Sequence, residues 1–88
     1  MTDLMDIANH YGLKHQLVKC KEELGELIEA IDSMNDEAII EEIADVENMT
    51  YQLKHLMCAD RVVDLYKDYK IARQIRRIAK EQSHECDN

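Results

Sequence analysis

The chain has no proline, tryptophan or phenylalanine, and only two glycines among 88 residues. Without proline, nothing forces a helix to stop in its interior, and two glycines leave few positions free to take left-handed backbone. A turn-rich β architecture is excluded, because it would need regular Gly, Pro and Asn punctuation between short strands. The missing Phe and Trp leave an aliphatic core with Met and four tyrosines. Long apolar runs are absent as well, and no segment approaches the ~20 residues that span a bilayer. The N-terminal region carries Asp3 and Asp6 without the basic and apolar segments of a secretory leader. Cys20, Cys58 and Cys86 are odd in number and share no short ligand spacing. They read as free thiols in a reducing compartment, so a soluble, cytoplasmic protein without membrane association is expected.

Positive charge is missing where it would be most expected. Between Glu22 and Leu53 there is no Lys or Arg, although solvated helical faces normally mix both signs to gain i,i+4 pairs. The net charge of −8 also argues against nucleic-acid binding, which needs a cationic surface to displace counterions. It is compatible with a small phosphorylated ligand held through a cation. A chain this short buries only about 60–65% of its unfolded surface, so stability borrowed from a second subunit is expected.

Abundant Leu, Ile, Glu and Lys build helices. Thr2 or Asp3 can cap a first short helix bearing Leu4, Ile7, Ala8 and Tyr11, which Gly12 ends in a left-handed turn. A second helix is expected from Leu13 to Ser33, with a seam of Leu17, Cys20, Leu24, Leu27, Ile31 and Met34 at alternating steps of three and four. Gly25 inside it permits a close approach by another backbone or a ligand, or is simply tolerated. Asp36 is a candidate N-cap for a third helix reaching Ala59, with a seam of Ile39, Glu42, Val46, Met49, Leu53 and Leu56. A fourth runs from Asp60 to Glu81, and residues 82–88 read as a polar tail. The domain is therefore 1–81, an all-α bundle of four helices.

The second and third helices carry the chemistry. If they form an antiparallel hairpin turning between Met34 and Asn35, Glu26 stands level with Ile43, and Glu23 with Val46. Glu23 and Glu26 then oppose Glu42 and Asp45, and each pair, spaced i,i+3, projects from one helical face. Four carboxylates this close cannot all ionise without compensation. Divalent hard cations provide it: Mg²⁺ takes carboxylate and water oxygens and leaves positions for phosphate, and Mn²⁺ can substitute. No His lies three residues from a site Glu, which speaks against a di-iron centre. Glu42 is the most telling of the four, because it interrupts an apolar seam. Glu22 and Glu41 are near enough to support the site or to serve as a water-activating base, while the remaining acids read as surface charge.

Glu23-x-x-Glu26, fifteen intervening residues, then Glu42-x-x-Asp45 resembles the E-x-x-E…E-x-x-D signature of the all-α nucleoside triphosphate pyrophosphohydrolases, which include the MazG-like enzymes. Tyr11-Gly12-x-x-x-Gln16 is similar to an element that precedes the first acidic motif in small bacterial and phage relatives, and the resemblance covers roughly residues 4–80. It implies a four-helix MazG-like fold assembled into homodimers or homotetramers. It also implies Mg²⁺-dependent hydrolysis of a nucleoside triphosphate to the monophosphate and pyrophosphate. By this resemblance Glu23, Glu26, Glu42 and Asp45 are the metal ligands. Asn48, three residues after Asp45, departs from the aliphatic residue often found there and either faces substrate or is exposed.

Other residues carry open alternatives. Lys70, Arg73 and Arg77 share one face of the fourth helix and either clamp phosphate or form a solvated basic face. Gln16 and Tyr11 are candidates for base contacts or ordinary packing, and Lys14, Lys19 and Lys21 can also reach phosphate. His10, His15, His55 and His84 read as surface or packing residues. Beside the enzyme stand two other readings: a non-catalytic module of the same fold that binds a metal–nucleotide complex or a partner, and a purely structural acidic oligomer.

Overall fold

A computed structural model describes residues 3–86. They form three α-helices, α1 (Asp3–Ser33), α2 (Asp36–Leu56) and α3 (Asp60–Cys86), with no strand among the described residues. The expectation of an all-α chain therefore holds. Within α1 the first two expected helices meet at a kink at Gly12, whose backbone (φ 84°, ψ 168°) is not helical. That backbone region is essentially reserved for glycine, which explains why Gly stands there. The first helix thus ends at Gly12 as expected, although with an extended ψ in place of a left-handed turn, and the second begins after it.

The two connections use left-handed residues that are not glycine. Met34 (φ 58°) lies in the α1–α2 turn and Cys58 (φ 53°) in the α2–α3 turn. At Cys58 the bonds form a Schellman cap, with Cys58 N–H donating to the His55 carbonyl (3.1 Å) and Ala59 N–H to that of Lys54 (2.9 Å). The Ser33 hydroxyl donates to the Ala30 carbonyl at 2.7 Å, satisfying one terminal acceptor of α1. Asn35, rather than Asp36, caps α2, accepting from Ala38 N–H at 3.1 Å. Asp36 and Glu37 instead lie in the first turn, where carboxylates complement the helix dipole. Helix α3 runs past Glu81 to Cys86, so residues 82–86 are helical, and 87–88 of the expected tail lie outside the described residues.

Helices α1 and α2 pack as an antiparallel hairpin, while α3 touches α2 only sparingly and α1 not at all. On α2 the expected seam is the packed one: Met49 is buried and Ile39, Glu42, Val46, Leu53 and Leu56 are partly covered. On α1 the packed face is rotated from the expected seam. Gln16, Cys20, Glu23 and Ala30 are buried, whereas Leu17 is 44% exposed and Ile31 53%. The reason is side-chain size together with polar pairing. Small Cys20 and Ala30 let the helices approach, and Gln16 (2% exposed) donates from Nε2 to the Gln52 Oε1 at 2.8 Å. A buried amide must find a partner, and here the pairing turns α1 until the two glutamines meet. Gly25 has open space around it: a Cβ there would meet nothing within 4 Å.

Candidate metal centre

The Gln16–Gln52 hydrogen bond fixes the register of the hairpin. Carried along antiparallel helices, it sets Glu23 level with Asp45 and Glu26 level with Glu42, one residue from the expected alignment. One carboxylate oxygen from each of Glu23, Glu26 and Glu42 comes within 4.8 Å of the other two. Glu23 is buried at 9% exposure, Glu42 is partly buried and Glu26 is exposed. Asp45 is outside this three-way cluster, although it is close enough for its charge to act on both Glu23 and Glu42. Contrary to the seam argument, Glu23 is more deeply placed than Glu42.

The electrostatics are unfavourable without a cation. Burial, then the negative charges of Glu26 and Asp45, push the Glu23 carboxyl above the ordinary carboxylate range, with Lys19 opposing. Burial, followed by Glu26, Asp45 and Glu23, does the same to Glu42. Glu23 Oε2 and Glu42 Oε2 are both buried and accept no hydrogen bond. Two such acceptors side by side are costly unless a proton or a cation reaches them. An all-oxygen donor set of this kind fits Mg²⁺ or Mn²⁺.

Lys19 Nζ lies 3.3 Å from Glu22 Oε2 and 3.6 Å from Glu23 Oε1. It therefore ties exposed Glu22 to the rim of the cluster, and the Glu22 contact, with Glu23 behind it, raises the Lys19 pKa. Beside this rim an open groove of about 840 Å³ is lined by Tyr11, His15, Gln16, Lys19, Glu22 and Gln52, among others. Tyr11 stacks on His15 with ring centres 4.5 Å apart and planes at 15°. His15 Nδ1 lies 2.7 Å from Gln16 Oε1, and Gln52 Nε2 donates to the Asn48 carbonyl at 3.2 Å. The polar atoms of Gln16 are thus engaged within the protein, while the Asn48 side chain is exposed.

Lys70 and Arg73 are exposed on α3, which makes no contact with α1, and a single chain does not bring them to the carboxylates. Cys20 is a buried free thiol, raised in pKa by burial and then by Glu23, and Cys58 is an exposed one. The side chains of His84 and Cys86 lie outside the described residues. The sequence reading missed Gln52. Its spacing carried a signal, since it follows Asp45 by seven residues and so shares a flank of α2 with the site. The bond from Gln16 showed only in three dimensions. No helix among the described residues is long and apolar enough to cross a membrane. Comparison with protein-family models, with curated proteins and with solved structures finds no match to this chain.

Proposed function

We propose that the protein is a Mg²⁺-dependent nucleoside triphosphate pyrophosphohydrolase of the MazG-like kind, releasing monophosphate and pyrophosphate. The observation that carries this reading is the pair of buried, unpartnered oxygens, Glu23 Oε2 and Glu42 Oε2, inside a cluster of three converging carboxylates. Glu23, Glu26 and Glu42 would hold the cation, with Asp45 adding negative potential from the edge. When bound, the cation offsets phosphate charge and makes water a better nucleophile at neutral pH. Glu22, oriented by Lys19 at the rim, receives the proton of the attacking water. The groove, of a volume usual for small-ligand sites, takes the nucleoside, with the Tyr11–His15 stack as a flat surface for the base. Gln16 acts by fixing the hairpin and His15, because its own polar atoms are engaged. The resemblance also brings a homodimer or homotetramer and a cytoplasmic role in clearing unwanted nucleotides.

A second reading is a non-catalytic module that binds a metal–nucleotide complex. It draws on the place of Asp45 outside the cluster and the distance of Lys70 and Arg73 from it. Pyrophosphate release across a panel of ribo- and deoxynucleoside triphosphates, with Mg²⁺, Mn²⁺ or chelator, separates the two. Cation-dependent release from at least one substrate is expected. Nucleotide binding with no turnover would favour the second reading.

A further inference from the structure

Three side-chain hydrogen bonds run in series from α2 to the wall of the groove, and their direction is set at one end. Gln52 Nε2 lies 3.2 Å from the Asn48 carbonyl and 3.8 Å from Met49 Sδ. A backbone carbonyl only accepts, so Gln52 turns its amide nitrogen to Asn48 and its oxygen to Gln16. Gln16 Nε2 donates to that oxygen at 2.8 Å, which leaves Gln16 Oε1 for His15 Nδ1 at 2.7 Å. Reversing one amide or both would set two acceptors against each other. Because Gln16 Oε1 accepts, Nδ1 carries the hydrogen, and neutral His15 keeps its lone pair on Nε2.

That second nitrogen makes no hydrogen bond among the described residues. Nδ1 is aimed at a residue only 2% exposed, whereas His15 itself is exposed and lines the groove, so Nε2, across the ring, faces outward. Tyr11, stacked at 4.5 Å and 15°, holds the plane of the imidazole. A base joined edge-on to Nε2 continues that plane and lies parallel to Tyr11. The other polar groups on the wall impose no direction of this kind. Lys19 and Glu22 are paired at the rim, Lys14 swings on a long stem, and the Tyr11 hydroxyl rotates to donate or accept. His15 also precedes Glu23 by eight residues of α1, about 12 Å along the helix. A nucleotide spans a length of this order from its phosphates to the far edge of its base.

We propose that His15 Nε2 is the acceptor that selects the base, favouring nucleotides whose base brings an exocyclic amino group to the contact over those that bring a carbonyl. An amino group donates to the lone pair, whereas a carbonyl oxygen sets acceptor against acceptor. Gln16 and Gln52 are positioning residues, acting through the orientation of His15. The proposal rests on the nucleotide reading of the groove, whether as enzyme or as binding module.

Calorimetry on the full chain with Mg²⁺ tests it, using α,β-methylene analogues of CTP and UTP and of ATP and ITP, which are not cleaved at that bond. At least one pair is expected to bind, with the amino member roughly tenfold tighter, the order of one hydrogen bond gained. His15→Phe keeps a ring to stack on Tyr11 but has no acceptor, and is expected to bring the pair to parity. The Gln16→Leu/Gln52→Leu pair removes both amides together, leaving neither without a partner, and is expected to lower the preference at a near-native melting temperature. Nitrogen-15 NMR of the histidine rings at about pH 8, where imidazole is neutral, identifies His15 by its loss in His15→Phe. It is expected to show Nδ1–H in wild type and a shift toward Nε2–H in the double variant, a signature that a merely structural role for the glutamines would not move. Equal binding of both members, tighter binding of the carbonyl member, binding of none of the four, or Nε2–H in wild type would overturn the inference. Pyrophosphate release from the parent nucleotides is read separately: its absence beside an amino preference overturns the hydrolase reading and leaves this one standing.

Discussion

Glu23 and Glu42 set opposing demands on stability and binding. Each carboxyl lies above its ordinary value in the folded chain. Its contribution to stability is therefore complete below the unfolded pKa, about 4.3 for Glu, and is lost as pH rises through the folded value. The metal-free protein should gain melting temperature from these two groups as pH falls from 7 toward 5. Glu23→Gln and Glu42→Gln should each raise the metal-free melting temperature at pH 7 and flatten its pH dependence. Mg²⁺ should stabilise wild type and neither variant, and pyrophosphate release should fall by more than about 100-fold, the upper effect of losing a group that only supports a ligand. Circular dichroism melts with and without Mg²⁺ provide the check, and a variant less stable than wild type without metal would count against a strained carboxylate. The buried amides behave differently. Gln52→Leu alone should cost about 1–3 kcal/mol, since Gln16 Nε2 loses its acceptor, while the Gln16→Leu/Gln52→Leu pair should come within about 1 kcal/mol of wild type. Urea titrations at fixed protein concentration measure the difference. Of this site, the i,i+3 spacing and the break in the α2 seam made the acidic residues legible in sequence. Which of them sits deepest was not, because that depends on the rotation of α1, and a bond between residues 36 apart sets that rotation.

At the scale of elements, the helices and their turns were legible to within a few residues, since seam periodicity and the Met34–Asn35 break are local signals. The extent of α3 was not, because the polarity of residues 82–86 describes exposure, not disorder. The ends of the helices hold two further expectations. Cys58 keeps a left-handed backbone in a complete Schellman cap without being glycine. Cys58→Gly should stabilise by about 0.5–1 kcal/mol, the relief of left-handed strain less the added freedom of the unfolded chain. Gly12→Ala should do the reverse, costing about 1–3 kcal/mol. Open space surrounds its would-be Cβ, so that cost is one of backbone alone. Chemical denaturation of both variants beside wild type measures these shifts.

The whole molecule is a hairpin with an extended third helix, and this was the least legible level. Seam reading assumes that each apolar stripe finds a partner within the chain. Here the stripe of Leu17, Leu24 and Ile31 was read as the inner seam and proves to be an outer one. Composition carried a hint in the charge reversal between hairpin and α3, but charge names a preference, not a docking geometry. Helix α3 also holds seven of the eleven Lys and Arg residues, all exposed, and trypsin cleaves after these residue types. A lone copy, with α3 lying against almost nothing, is open to cutting along most of that helix. Limited proteolysis should therefore remove α3 first and leave a hairpin-sized fragment, and mass spectrometry of the early products checks this.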